Sequence, residues 1–437
     1  MVRKFHHIGS ACNAARPGGL FLGVNTVEAH LRRPVVLVAG VVVVLALALW
    51  QVTGKMLVDL DVYRAGAEAW MTGQRLYDED FPPRPLVHQL PFTYPPFAAV
   101  LFSVLTPLSL KAMGYVMTAA TALALAAACV IVARRCGLPR ASAGGLGFAV
   151  AALSVLSEPV LATIGLGQVN TLLLAMVVAD CLLPRTPWPR GLLVGIAAGI
   201  KLTPAIFVLY FLASGRVRPA LTAIATLAGS VVIGFLATAR DSAQYWFSTL
   251  FNTDRIGGPE FVTNQSIRGV LGRFGLVNGQ VFPFWVAGVL ITLVVTWLIL
   301  RRVRSEVPAL LVVAAAGLLC SPVSWSNHWV WASVLATAVA VALLRRPRWS
   351  LLAPGVATVV LFVGPHRFVP GGGKVELTWT AAQWPWGNAF FLTAVISLVV
   401  LLVRNWSREV DNLSGDRGIR TGERAQAGLG RDDDNRR

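Results

Sequence analysis

The sequence predicts an all-α, polytopic transmembrane helical bundle, and three observations carry that prediction. Hydrophobic residues make up 55% of the 437 and charged residues only 14%, against about 25% charged in a soluble domain. The chain therefore lacks the polar surface to coat a globule of its size. Apolar runs of about twenty residues recur from end to end, each long enough to cross a bilayer as a helix. These runs are continuous, as in PVVLVAGVVVVLALALW at 34–50, whereas a closed β-barrel, the other spanning solution, alternates apolar and polar residues.

The net charge of +17 does not point to nucleic acid. The basic residues sit in short clusters at helix ends: Arg32-Arg33, Arg134-Arg135, Arg216 with Arg218, Arg301-Arg302 with Arg304, Arg345-Arg346 with Arg348, and Arg404 with Arg408. That is the positive-inside pattern of a multi-pass protein of the cell membrane. The five cysteines lie mostly in or beside apolar runs without CxxC spacing, as small core residues do, and form no disulfide or metal framework. Neither a metal nor a cofactor is invoked, because no ligand cluster appears.

Taken in order, residues 1–33 read as a basic cytoplasmic N-terminus, followed by a first helix that serves as an uncleaved anchor. Its exit makes 53–95 an external loop. Residues 96–133 read as two short helices broken near Pro107. Residues 191–213 hold Lys201 and Pro204 at their centre. Proline breaks helices, and broken backbone at membrane depth is tolerated inside protein or beside a cavity, so this segment is expected to be a bent hairpin whose tip reaches the external side. Counting back from the basic clusters makes 240–280 a second large external loop and puts 321–327 and 364–385 outside as well. The transmembrane domain then runs over 34–404 with roughly ten to twelve passages. The charged tail 405–437 is cytoplasmic and expected to be disordered.

Five polar constellations fall on the external side. Asp59-Leu-Asp61-Val-Tyr63-Arg64 follows the first helix; a carboxylate there suits general-base work or, more simply, helix capping. Residues two apart lie on opposite sides of a helix, so at most one of the aspartates faces a given site. Gly167-Gln168-Val169-Asn170 offers two amides, which donate and accept and so suit sugar hydroxyls, or join helices. Lys201, in an apolar run, costs about 2.5–3.5 kcal/mol on insertion scales. Its partner is either an anion such as a lipid phosphate or a carboxylate such as Glu158 or Asp180. Asn264-Gln265-Ser266 lies in the second loop and also fits a weak glycosylation pattern. His328, flanked by Trp325 and Trp329, could handle a proton while the tryptophans stack on a sugar or mark the interface belt. The convergence of all five on one side is hard to explain by packing alone.

These residues carry a family resemblance. DLDVYRAGAEAW, GQRLYD and LPFTYPPFAAVLF, then GLGQVNTLLL, GIKLTPAIFVLYFL, NQSIRG and SPVSWSNHWVW, in that order, resemble glycosyltransferase family 87 of the GT-C superfamily. These are actinobacterial polyprenyl-phosphate-mannose-dependent α-(1→2)-mannosyltransferases. The resemblance implies a GT-C catalytic domain, a polyprenyl-phosphate sugar donor, a lipid-linked glycan acceptor and an extracytoplasmic site. It also implies an essential acid at the start of D-x-x-V-Y, which falls on Asp59. The family's later motif reads S-W-x-H-H; Asn327 replaces its first histidine, so His328 alone carries over. Asp59 and His328 are thus the implied catalytic residues. Tyr63, Gln168, Asn170, Lys201, Asn264, Gln265 and Trp325 are the candidate substrate-binding residues. Inversion at a β-linked donor implies an α-linked product on a phosphatidylinositol mannoside, lipomannan or lipoarabinomannan. An arabinofuranosyl transfer by a family sibling and, in another class, a lipid or polysaccharide transporter are the alternatives.

Overall fold

The computed structural model describes residues 34–78, 81–82, 90–276, 278–345 and 349–404. The expected cytoplasmic N-terminus 1–33 and disordered tail 405–437 lie outside the described residues, as do Arg346 and Arg348. Among the described residues every regular element is a helix, as lipid requires of chains that must satisfy their own N–H and C=O groups.

Among the described residues four helices are long and apolar enough to span a membrane: Leu110–Arg135, Val217–Ala237, Gly279–Leu300 and Ser326–Arg345. Arg140–Val155 and Glu158–Leu166, bent by 70°, make a possible fifth span. The roughly ten to twelve passages expected from run length are reached only by counting shorter apolar helices such as Asn170–Leu182 and Glu306–Cys320. Leu110–Arg135 is the central element, 56% buried over its apolar window, whereas Val217–Ala237 and Gly279–Leu300 are 22% buried. Their outer faces carry Ile224, Leu236, Leu290 and Ile291, all exposed. An apolar surface of that extent belongs against acyl chains, and the protein is a multi-pass membrane protein.

The two expected interruptions are present, each with a local cause, but of the two short helices expected over 96–133 only the first is short, the second being the 26-residue Leu110–Arg135. Pro96–Phe102 runs into a 3-10 turn at Ser103–Leu105; the next helix then restarts at Leu110, where the Ser109 hydroxyl accepts from Ala112 N at 3.3 Å as an N-cap. Residues 191–213 form Leu192–Ile200, an extended Lys201, the 3-10 turn Thr203–Ile206 and Phe207–Ala213. Arg190 donates to Asp180 O at 2.7 Å and Arg216 to Cys181 O at 3.4 Å. Both ends of the segment therefore rest on the C-terminal turn of the same helix, Asn170–Leu182, and the chain goes in and comes back. Gly191 makes this possible, because at φ +102° a Cβ there would stand 2.0 Å from Pro219 O.

The two ends of the bundle differ in chemistry. At one end Arg135 and Arg216 pair with Glu306, while Arg345 donates to Gly137 O. At the other, the loops expected to be external knit together. Arg75 pairs with Asp241 at 3.0 Å, and Arg255 donates to Tyr77 O at 2.6 Å. Arg273, 2% exposed, donates to Asn388 Oδ1, Phe261 O and Asn264 O at 2.9–3.0 Å. These ties give the loops a fixed shape over the helix ends, and the cavity lies beneath them.

Candidate active site

A cavity of about 1700 Å³ opens between these loops and the helix ends, and Asp59, Gln168, Lys201, Trp325 and His328 line it. Four segments far apart in the chain thus meet at one surface. Ligand sites for a single drug-sized molecule run to about 300–1000 Å³, so this space accommodates more than one sugar-sized group.

Asp59 stands in the first turn of the helix Val58–Thr72, entered through Leu57 in the left-handed region at φ 50°. Gln168 Nε2 donates to Asp59 Oδ2 at 2.8 Å. The other side of that amide is occupied as well: Gln168 Oε1 accepts from Tyr63 OH at 2.7 Å and Tyr94 OH at 3.3 Å. Gly167 brings the two segments together, since its φ is +73° and a Cβ there would lie 2.5 Å from Leu60 Cβ. On this helix, outside the spanning segments, burial pushes the Asp59 carboxyl above the ordinary carboxylate range. The Gln168 amide and the Lys201 charge pull it part of the way back, because both favour the charged form. A carboxylate so raised is a better proton acceptor than a solvated one.

Lys201 sits at the break of the bent hairpin, where its extended backbone turns the side chain away from the helix ladder. Its Nζ donates to Asn170 Oδ1 at 3.0 Å and lies 3.0 Å from His328 Nε2. It also stands 5.6 Å above the Tyr94 ring. An ammonium has only donors, so His328 Nε2 accepts, and the imidazole proton resides on Nδ1. Two of the three N–H groups are thereby spent within the protein, and among the described residues no partner takes the third. Neither carboxylate weighed as a partner from the sequence is engaged with it. Asp180 accepts from Gly191 N and Val194 N at 2.9–3.0 Å, and Glu158 lies 3.4 Å from His366.

Several expected substrate-binding residues are positioned otherwise. Tyr63 is fully buried behind Gln168, stacked on Phe102 with ring centroids 4.4 Å apart, and is not among the cavity-lining residues. Asn170 lies in an adjoining cleft of about 60 Å³ that Lys201 and His328 share. Asn264 and Gln265 are both 0% exposed. Asn264 Oδ1 accepts from Ser324 N at 3.0 Å, and its amide donates to Pro259 O at 3.1 Å. Gln265 Nε2 donates to Val262 O and Gly387 O at 2.7 Å each, while its Oε1 accepts from Phe390 N and Phe391 N at 3.2 and 3.3 Å. With its hydrogen-bonding capacity filled by backbone, Gln265 has none left for a sugar; it and Asn264 clamp the loops over the cavity. Trp325 does face the cavity, edge-on to Phe261. Asp61 is buried on the other side of its helix, away from the cavity wall, as the two-residue spacing requires.

The sequence reading missed Tyr94 and His366, and it weighed Glu158 only as a salt-bridge partner; all three line the cavity. The available signals were the tyrosine before Pro95-Pro96 and a Gly-Pro-His turn in a segment expected to be external. Among the described residues no group of three or more His, Cys, Asp or Glu is disposed to hold a metal ion.

The comparisons agree with the motifs. The model of glycosyltransferase family 87 matches residues 92–322. A protein of Mycobacterium tuberculosis (strain ATCC 25618 / H37Rv) is 40% identical over 407 residues, which cover 88% of this chain and 93% of the relative. A protein of Mycolicibacterium smegmatis (strain ATCC 700084 / mc(2)155) is 37% identical over 385 residues, 80% of this chain and 86% of its own length. Both are named polyprenol-phosphate-mannose-dependent alpha-(1-2)-phosphatidylinositol mannoside mannosyltransferase. A second protein of the latter organism, named for phosphatidylinositol pentamannoside, is 35% identical over 70% of this chain and 75% of its own length. No solved structure matches. Because the family model covers more than half of the chain, and relatives of this identity span most of it, the protein belongs to glycosyltransferase family 87.

Proposed function

We propose that the protein transfers mannose from a polyprenyl phosphate mannose to a phosphatidylinositol mannoside, forming an α-(1→2) linkage with inversion on the extracytoplasmic side of the cell membrane. The observation that carries this reading is that a buried carboxylate, Asp59, and an ammonium, Lys201, line one cavity, each held by an amide of the same short segment (Gln168 and Asn170). The names of the relatives supply the sugar and the acceptor.

In this mechanism Asp59 takes the proton of the acceptor hydroxyl. The oxygen attacks the anomeric carbon from the face opposite the phosphate, and the bond between that carbon and the phosphate oxygen breaks. Lys201 neutralises the charge that gathers on the departing polyprenyl phosphate, the electrostatic contribution that dominates many transfer reactions. Gln168 orients the base, and Tyr63 and Tyr94 orient Gln168. His328 and Asn170 position the ammonium. This gives His328 a holding role in place of the proton-handling role weighed from the sequence, because its Nε2 lies 3.0 Å from the Lys201 ammonium. Trp325 offers a ring face to a sugar. Among the described residues Arg135, Arg216 and Arg345 support the sidedness, since their partners are Glu306 and Gly137 and none of them lines the cavity.

The test is sugar transfer by membranes containing the protein, using radiolabelled polyprenyl phosphate mannose and polyprenyl phosphate arabinose in parallel. Mannose incorporation into phosphatidylinositol mannoside is expected. Incorporation of arabinose alone would assign the arabinofuranosyl alternative, and movement of unaltered lipid without transfer would assign a transporter.

A further inference from the structure

The cavity wall carries a second polar cluster that this mechanism leaves unused. Glu158 opens the helix that follows the 70° bend, Asn327 lies in the turn before His328, and His366 lies in the 3-10 turn Pro365–Phe368 of the last external segment. All three line the cavity, and they are 5%, 1% and 1% exposed. His366 Nε2 stands 3.4 Å from Glu158 Oε1. Glu158 Oε2, both ring nitrogens of His366 and both polar atoms of the Asn327 side chain have no hydrogen-bond partner among the described residues. Buried polar atoms are nearly always satisfied, so unspent ones on three residues that line one cavity call for a reason.

The backbone around them is arranged to hold the cluster. Gly364 has φ +65°, and a Cβ there would stand 2.6 Å from Glu158 Cγ; the approach of the His366 turn to Glu158 therefore requires glycine. The His366 ring is fixed edge-on to Phe390 with centroids 4.9 Å apart. The Asn327 carbonyl accepts from Thr163 Oγ1 and Asn170 Nδ2 at 3.0 Å each, which orients the residue while leaving its amide free.

A carboxylate and an imidazole 3.4 Å apart, with an amide on the wall of the same cavity, offer acceptors and donors, which is what hydroxyl groups need. The negative charge on Glu158 repels a phosphate, so the ligand of this cluster is neutral and polyhydroxylated. We propose that Glu158, His366 and Asn327 form a hexosyl subsite that binds the hydroxyls of one mannose ring, either that of the donor or the terminal one of the acceptor. The subsite rests on the reading of the cavity as a place of glycosyl transfer.

The discriminating variant is Asn327→Leu. Replacing an unpaired buried amide by an apolar side chain of similar size is neutral or stabilising for folding, so the variant folds, and a purely structural Asn327 would leave kinetics untouched. The purified full-length protein is assayed with polyprenyl phosphate mannose and phosphatidylinositol mannoside varied in turn. Asn327→Leu and Glu158→Gln are expected to raise KM for one of the two substrates about tenfold or more, with the other within about twofold, as loss of hydrogen bonds to a bound ring predicts. A rise for the donor assigns the donor ring, and a rise for the acceptor assigns the acceptor ring. Unchanged KM values for both substrates overturn the subsite. A titration with α-(1→2)-mannobiose followed by tryptophan fluorescence separates this outcome from failure of the parent reading. If the wild-type protein transfers no mannose, saturable binding that Asn327→Leu weakens about tenfold still supports the subsite, and absence of binding overturns it.

Discussion

Asp59→Asn tests the centre of the mechanism, and its consequences can be worked out from the geometry. The asparagine keeps an oxygen where Asp59 Oδ2 accepts from Gln168 at 2.8 Å, so the amide network and the cavity wall persist. What is lost is the site that takes a proton. General-base catalysis is worth about 10²–10⁴ in rate, which is about 2.7–5.4 kcal/mol at 1.36 kcal/mol per tenfold; turnover should fall by that factor with little change in either KM. Stability should move the other way. Burial raises the Asp59 carboxyl above its ordinary range, so the folded protein binds this proton more tightly than the unfolded chain does. The contribution of Asp59 is then favourable at low pH and is lost as pH rises through the folded value. At neutral pH the ionised side chain is a cost, and Asp59→Asn should melt at or above the wild-type temperature. The wild-type rate should climb with pH on an acid limb displaced above that of a free carboxylate, and this limb should vanish in the variant. The assay is mannose transfer by purified Asp59→Asn and Asp61→Asn side by side, with thermal melts of both. Near-normal turnover in Asp59→Asn, or an equal loss in Asp61→Asn, would refute the assignment of the base.

Other outcomes follow from the same contacts. Lys201→Met should raise KM for the lipid donor about tenfold or more, since it removes a charge-assisted contact worth about 1.5–3 kcal/mol; unchanged donor KM in a folded protein would make the lysine structural. His328→Phe should reproduce part of that donor effect without altering the acid limb of the pH profile, because the ring acts through Lys201, and loss of that limb would instead identify His328 as the base. Gln265→Ala should lower the melting temperature while leaving both KM values within about twofold in the folded fraction, as expected for a side chain whose four bonds all go to backbone. A cysteine at Thr263 should react with an impermeant thiol reagent from outside the cell; labelling from the cytoplasm alone would invert the whole frame.

The class of fold was legible in the amino acids because lipid leaves the chain little choice. Runs such as 34–50 must satisfy their own backbone, and arginines such as Arg134-Arg135 and Arg301-Arg302 mark the ends of runs whatever packs beside them. Lys201 and Asp59 were legible for a related reason, since charge beside or inside an apolar run is costly enough to need a purpose. The two amide pairs were not separable in this way. Gln168-Val-Asn170 and Asn264-Gln265 carry the same chemistry on the same side of the membrane. The first pair meets Asp59 and Lys201, while the second meets the backbone carbonyls and N–H groups of 262, 322–324 and 387–391. Which of these partners an amide finds depends on segments from 31 to 126 positions away, brought near by Gly167 and by the Arg273 ties. Glu158 and His366 illustrate the same limit more sharply. Each is an ordinary polar residue at a helix end or in a turn, and nothing local pairs them. Their meeting depends on a bent span and on a glycine at 364 without a Cβ. Local pattern reports the cost of polarity along one segment, but the converging directions of side chains from several segments exist only once the helices have packed.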